Sequence, residues 1–531
     1  MVWLGLSSLW GVGHSGLNFA KIKELEGELN LNTSEPAIDW QIFVPAFGIV
    51  TALSLGLIFF PAGASDFTES LTDWVTHNFG WLYMITALGA LIFAAWLAFG
   101  RFGDIVLGSP GEPPEFSQFS WVAMMFTAGI GAGLVAWGFA ESIFYLQTPP
   151  FGVEPMSAAA FEWAHMYPIY HWCILPWAIY AVPAVPIAYM LFVDRVPSLK
   201  LSKACVSDEH RVGTRKVIDT LVIIGIVGGA ATSLGLGVPL VSALTSEFFE
   251  VENSVTIKLI VLAVWTAMFG TSTYRGLTRG IKVLADINVV LAIACIVFVF
   301  LVGPTVFIID MTVNSVGLLL DNFFRMSLWL DPIANSGFPE TWTVFYWGWW
   351  LAYAPMMGLF FGRISRGRTI RQLLIGVIGW GTAGTAFFMS IANGYSLHLE
   401  LTGAFPVVET LNNSDMSAMV AKILAQLPGE KIVLSVFIIL CLIFYATSMD
   451  SAAYILASIC TEDLKSSQEP ARYNRILWAL ALTAITSGLI VSGGLNTVKS
   501  ITVLSSIALI PICTLMAVST YRWLRRRETG L

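Results

Sequence analysis

Apolar runs of about twenty residues recur along nearly the whole chain, and no other feature limits its fold so tightly. A helix needs roughly 20 mostly apolar residues to cross the hydrocarbon core of a bilayer. Inside that core every backbone polar group must find its partner within the protein, which leaves helices or a closed barrel. Twelve stretches meet the helical requirement: 40–61, 80–100, 121–146, 168–193, 217–241, 255–269, 284–307, 346–361, 372–391, 432–459, 476–491 and 501–523. The sixth and eighth are short. Segment 314–330, NSVGLLLDNFFRMSLWL, is amphipathic and interrupted by charge, which suits a helix lying in the membrane plane. Composition points the same way, with 56% of the 531 residues hydrophobic, 12% charged and a mean hydropathy of +0.74. A soluble chain carries about 25% charged residues. The expected fold is therefore an all-α polytopic membrane protein.

Basic residues orient such a chain. Arg195, Lys200, Lys203, Arg211, Arg215 and Lys216 follow the fourth run; Arg275, Arg279 and Lys282 follow the sixth. Arg363, Arg366, Arg368 and Arg371 follow the eighth, and Arg522, Arg525, Arg526 and Arg527 close the twelfth. The alternate loops carry acids instead, such as Asp66, Glu69 and Asp73, or Glu247, Glu250 and Glu252. This alternation predicts both termini in the cytoplasm of a cell-membrane protein. A net charge of −7 gives no reason to expect nucleic acid, because the basic residues line one membrane face. Six cysteines show neither metal-ligand spacing nor a disulfide framework. No GxxxxGK[ST] loop is present, so transport would run on gradients or exchange, without a bound cofactor. The first 37 residues lack a basic n-region and a clear cleavage site, so a surface-lying or re-entrant segment is expected there.

Four intramembrane features carry chemistry. FTAGIGAG, in the third run, places Gly129 and Gly133 at close-packing spacing, yet helical glycine costs up to about 1 kcal/mol each. It reads equally as a helix contact or as an unwound segment whose backbone faces a ligand. HWCILPWAIY, in the fourth run, sets Trp172, Trp177 and Tyr180 within an arc of roughly 140° if the helix is continuous. WTVFYWGWWLAY crowds Trp342, Phe345, Tyr346, Trp347, Trp349, Trp350 and Tyr353 into twelve residues, more than an interfacial belt needs. Indole faces in a dry cavity suit a quaternary ammonium group, which cannot share a proton and is stabilised mainly by ring quadrupoles. Trp342, near an interface, reads as an anchor. FYATSMDSAAY, in the tenth run, brings Thr447, Ser448, Asp450 and Ser451 into an apolar helix. Hydroxyls commonly bond back to their own helix, whereas intramembrane Asp450 and Glu141 are costly enough to suggest a function in coupling. His165 and His171 lack a third ligand and read as ordinary polar residues.

These residues resemble a known family. WTVFYWGWW followed by RISRGRTIRQ is similar to the signature of the betaine/carnitine/choline transporters. MMFTAGIGAGLVAWGFAES, HWCILPWAIYA and ATSMDSA resemble that family's third, fourth and tenth spans. The resemblance implies a twelve-helix, LeuT-like carrier and a homotrimer, with 120–310 and 341–524 as inverted five-helix repeats. Around them it implies an N-terminal segment 1–38, two outer spans in 39–119, an in-plane trimer helix in 311–340 and a tail 525–531. It carries an onium cage onto Trp172, Trp177, Tyr180, Trp349 and Trp350, beside unwound Gly129, Ile130 and Gly131. Trp342 and Trp347 stay as scaffold. Tyr353 stands where the glycine betaine carriers have tryptophan, and Ser142 where a proline is usual, so the substrate remains open among betaine, choline, carnitine, small amines such as trimethylamine, sulfonium osmolytes and ectoine.

For coupling, the resemblance implies one sodium ion near Thr127, Ile130, Phe444, Thr447 and Ser448. Lys282 and Met357 align with residues that replace sodium in the carnitine exchanger, which leaves proton coupling or exchange as the alternative. The hydroxyls at Thr447 and Ser448 favour sodium. The short tail after RWLRRRETG suggests nutrient uptake or exchange more than osmotic sensing. A channel would need a continuous polar stripe, a sensor an output domain, and an enzyme a convergent acid–base set; the sequence displays none of these.

Overall fold

The computed structural model describes residues 36–529 apart from 129–130, 197, 207–209, 276–277, 463, 465–467 and 493. Among them the chain is helical, with two isolated β-bridges, Ile38–Thr461 and Val106–Thr369. The helices are α1 (Trp40–Phe59), α2 (Pro61–Phe99), α3 (Gln118–Ala128), α4 (Ala132–Gln147), α5 (Ala158–Trp172), α6 (Leu175–Phe192), α7 (Val212–Phe249) and α8 (Val255–Arg275). They continue as α9 (Thr278–Val302), α10 (Thr305–Leu328), α11 (Phe345–Ile364), α12 (Ile370–Thr402), α13 (Met416–Ala425), α14 (Glu430–Ile459), α15 (Arg472–Ser492), α16 (Leu495–Ser506) and α17 (Leu509–Thr529). Four shorter turns link them.

Nine helical stretches among the described residues are long and apolar enough to cross a membrane, and the bent pair α3/α4 makes a tenth. α8 and α9 supply the shorter apolar stretches Val255–Thr271 and Asp286–Val302. Several helices outrun the apolar stretch that announced them. α2 takes in Asp66, Glu69 and Asp73, and α5 starts at Ala158 rather than 168. Hydropathy marks where lipid is met, while a helix satisfies its own backbone and can run on into water. The in-plane segment expected at 314–330 is the second half of α10, which begins at Thr305. Its face carrying Val306, Ile309, Val313, Val316, Leu320 and Phe324 is exposed. The twelfth apolar run is two helices, α16 and α17, and α16 starts at Leu495, before the expected 501.

Two breaks position the core. α3 and α4 lie 51° apart, and Gly131 caps α4 in an extended conformation at φ −136°, ψ 173°. α5 and α6 are broken at Cys173–Ile174, with Ile174 at φ 36°. Pro176 lacks an N–H, so the Trp172 carbonyl four residues earlier has no helical donor. Trp177 Nε1 at 3.1 Å and Thr385 Oγ1 at 2.7 Å donate to it instead. Thr382 Oγ1 accepts the Ile174 N–H at 2.8 Å. α12 thus braces the broken span, and α11 packs against α6 more extensively than any other helix pair.

The arginine-rich loop after α11 is a clamp. Arg366 Nε donates to Glu112 at 2.7 Å, Arg371 Nη1 to Asp104 at 2.6 Å and Arg371 Nε to the Ala98 carbonyl at 2.9 Å. Arg368 bonds the Gln118 side chain and stands 4.5 Å above the Trp121 ring. Its function is to tie the end of α2 and the start of α3 to the end of α11. On the same side of the fold, buried Asp39 accepts from Lys216 at 3.0 Å and Lys200 at 3.1 Å.

Candidate functional site

Trp350 is the hub of an aromatic cluster. Its ring lies 5.4 Å from Trp172, 6.0 Å from Trp177 and 4.9 Å from Tyr180, centroid to centroid. Trp349 meets Trp172 edge-on at 5.8 Å and stacks on Phe345 at 5.8 Å. Trp350 Nε1 donates to the His171 carbonyl at 3.1 Å, another acceptor freed near the break in the fourth span. The sequence placed Trp172, Trp177 and Tyr180 on one continuous helix face. They come together differently: Trp172 ends α5, the other two open α6, and Trp350 joins them.

Two glycines give these rings their room. A Cβ on Gly133 would stand 3.1 Å from Trp349 Cη2 and 3.5 Å from Trp172 Cη2. A Cβ on Gly381 would fall 2.2 Å from Trp177, so the indole lies against bare α12 backbone. The rings rest on one another. A cation is attracted to a ring face within about 6 Å of its centroid.

Tyr353, also expected in the cage, reaches α7. Its hydroxyl pairs with Ser233 on α7 at 2.8 Å, and its ring lies against Gly229. It shares a helix face with Tyr346 and Trp350, both of which meet Trp172.

Behind the cage sits a buried charge. Glu141 on α4 has no exposed surface. Its Oε2 accepts from Trp172 Nε1 at 2.8 Å and Tyr346 OH at 2.7 Å. Its Oε1 accepts from Tyr145 OH at 2.6 Å, with His171 Nδ1 at 3.1 Å. Tyr145 OH also lies 2.8 Å from His171 Nδ1, and His171 Nε2 lies 3.2 Å from Thr343 Oγ1. Since Tyr145 donates to the carboxylate, its oxygen accepts from Nδ1–H, and Nε2 accepts from Thr343. His171 is thus part of a network joining α4, α5 and α11, not an isolated polar residue. Its place, together with those of Thr343 and Thr385, could not be read from sequence because their partners are remote in the chain. Tyr145, although only four residues from Glu141, also meets His171 26 residues on. His165 bonds Ser315 Oγ at 2.7 Å and lies 3.1 Å from the Ser390 carbonyl.

Trp342 is 5% exposed, so it is a core residue and not an interfacial anchor. Trp347 is fully buried.

Apart from Glu141, the described residues expected to hold an ion or couple transport lie on α3, α11 and α14. Thr127 Oγ1 donates to the Ala123 carbonyl at 2.8 Å. Thr447 Oγ1 lies 3.0 Å from the carbonyls of both Ile443 and Phe444. Each hydroxyl donates its proton to its own helix, and its oxygen can still accept. Phe444 is buried, while Ser448, Asp450 and Met357 are half-buried. Gly129, Ile130 and the side chain of Lys282 lie outside the described residues.

The profile of the betaine/carnitine/choline family transporters matches residues 41–529. An ectoine/hydroxyectoine transporter of Virgibacillus pantothenticus is 33% identical over 491 residues, covering 92% of this chain and 96% of its own. A glycine betaine transporter of Bacillus subtilis is 33% identical over 494 residues, covering 92% and 95%. Among solved structures, the substrate-bound outward-open state of a Na+-coupled sialic acid symporter aligns over 83% of this chain and 86% of its own, at 11% identity and a TM-score of 0.41. The chain is a multi-pass membrane transporter, not an enzyme, and belongs to the betaine/carnitine/choline transporter family.

Proposed function

We propose that the chain is a secondary active transporter of a methylated onium solute, of the betaine, choline or carnitine class, working by alternating access with sodium as the coupling ion. The observation that carries this reading is the convergence of Trp172, Trp177 and Tyr180 on Trp350, with Trp349 alongside. Indole and phenol faces stabilise a charge that can neither accept a hydrogen bond nor lose a proton, by about 2 kcal/mol per desolvated contact. Gly131, extended at the α3/α4 break two residues before Gly133, offers a backbone N–H suited to a carboxylate on a zwitterionic solute.

Sodium is favoured by the hydroxyls of Thr127 and Thr447, whose lone pairs stay available, with Ser448 beside them. Proton coupling or exchange through Lys282 and Met357 is the alternative. An inverted-repeat core, a homotrimer and cytoplasmic termini complete the reading. They rest on family membership and on the alternation of basic and acidic loops.

A second solute reading has its own support. One of the 33%-identical relatives is an ectoine/hydroxyectoine transporter, and a delocalised cyclic cation can also lie against an aromatic wall. Counterflow of labelled glycine betaine in proteoliposomes separates the two. Excess unlabelled trimethylated solutes should block it and dimethylglycine should block it weakly. Stronger block by ectoine than by betaine would move the assignment to the cyclic class.

A further inference from the structure

Lys499 lies in α16 and is 7% exposed. Its Nζ stands 3.3 Å from the centroid of the Trp342 ring, 5.3 Å from Phe345 and 5.9 Å from Trp137. Its polar contact is the Thr341 carbonyl at 3.4 Å. Among the described residues it makes no ion pair. A lone buried cation is costly, so a charged Lys499 needs an offset from its surroundings.

The rings around Lys499 supply one part of that offset, because three aromatic faces surround the ammonium. The other part lies behind them. Trp342 meets Tyr145 edge-on at 5.0 Å, and Tyr145 donates to Glu141. Phe345 meets Tyr346 at 5.1 Å, and Tyr346 donates to Glu141 as well. Phe345 also stacks on the cage residue Trp349. A thin aromatic layer thus separates a buried ammonium from a buried carboxylate, and attraction between groups so far from solvent is screened little.

We infer that Lys499 is a resident cation in an internal aromatic box of Trp137, Trp342 and Phe345, compensates Glu141 across the ring layer, and so positions the α11 wall of the solute site. Lys499 acts through these rings and through Glu141, not by touching the solute. The inference does not depend on which solute the carrier takes.

The test is a charge-swap series of Lys499→Arg, Lys499→Met, Glu141→Gln and the Lys499→Met/Glu141→Gln double variant. Melting temperature of the solubilised carrier is read without any solute, and glycine betaine uptake is read in proteoliposomes. Lys499→Met keeps the stem and removes the charge; it should lower the melting temperature by at least about 4 °C and cut uptake by at least about tenfold. Lys499→Arg should keep most of both. Adding Glu141→Gln to Lys499→Met should raise both above the single variant, a non-additivity that packing alone does not produce. A Lys499→Met protein that melts and transports like wild type overturns the inference, as does a double variant whose losses are the sum of the singles. Should Lys499→Met yield no folded carrier, recovery of folded protein by Glu141→Gln becomes the readout, and its failure to appear overturns the inference. A carrier that moves no glycine betaine but shows the melting non-additivity would count against the solute assignment alone.

Discussion

The Trp172 indole donates its N–H to Glu141 at 2.8 Å, and the Trp172 carbonyl accepts from Thr385 at 2.7 Å. One cage residue is therefore held at both ends by groups in other helices, with Trp350 across its face. A ring fixed this way keeps its face presented while the helix around it is broken. That relation ties the aromatic cluster, the buried carboxylate and the break at Cys173–Ile174 into one unit.

Trp350 is the ring that the other three share. Trp350→Leu should weaken onium binding by at least about tenfold, corresponding to about 2 kcal/mol of lost cation–π attraction, while the carrier still inserts and folds. Calorimetric titration of the purified variant against wild type measures this, and unchanged affinity would remove Trp350 from the cage.

Gly133 makes a different demand. A methyl group there meets Trp349 Cη2 at 3.1 Å and Trp172 Cη2 at 3.5 Å. Gly133→Ala should push the rings off their positions and weaken solute binding several-fold. Alanine is the better helix former by about 1 kcal/mol, so the melting temperature should hold or rise. A loss of stability with intact affinity would mean that Gly133 serves packing alone.

How much of this was legible from residues alone differs by element. The spans could be read because lipid imposes a length and a polarity on each. The proposed cage residues could be named through the family resemblance, with the aromatic crowding of 342–353 pointing the same way. For Tyr353, helical spacing gives a face but not the neighbour it meets, and that neighbour is Ser233. Lys499 escaped notice because the apolar run starts at 501, two residues beyond it, whereas the helix starts at Leu495. The Glu141 network spans about 200 residues of sequence, from Tyr145 to Tyr346, and only folding brings its members together.

Sodium dependence turns on Thr447. Thr447→Ala removes a hydroxyl whose lone pairs are the proposed ion ligand, and it leaves the helix hydrogen bonds in place. The sodium concentration for half-maximal uptake should rise at least about tenfold, the scale of one lost ligand. Indifference of uptake to both the substitution and the cation would favour exchange.

Asp39 gives a pH signature outside the spans. Burial works against its charge, but hydrogen bonds from Lys216 and Lys200 prevail and hold the carboxyl below its ordinary value of 3.8. A depressed folded-state value contributes stability above the unfolded value, and that stability is lost as pH falls through the folded one. Asp39→Asn should therefore melt lower than wild type at pH 7, with the gap closing as pH drops below about 3.8. Parallel melting curves across that range would contradict the clamp.

The most direct test of the central claim is a tryptophan-fluorescence titration of the purified carrier with glycine betaine, choline, carnitine and ectoine, in sodium and then in potassium. The account predicts saturable quenching by a trimethylated solute that tightens in sodium and is lost in Trp350→Leu. Saturable binding by none of the methylated solutes in either salt would contradict it.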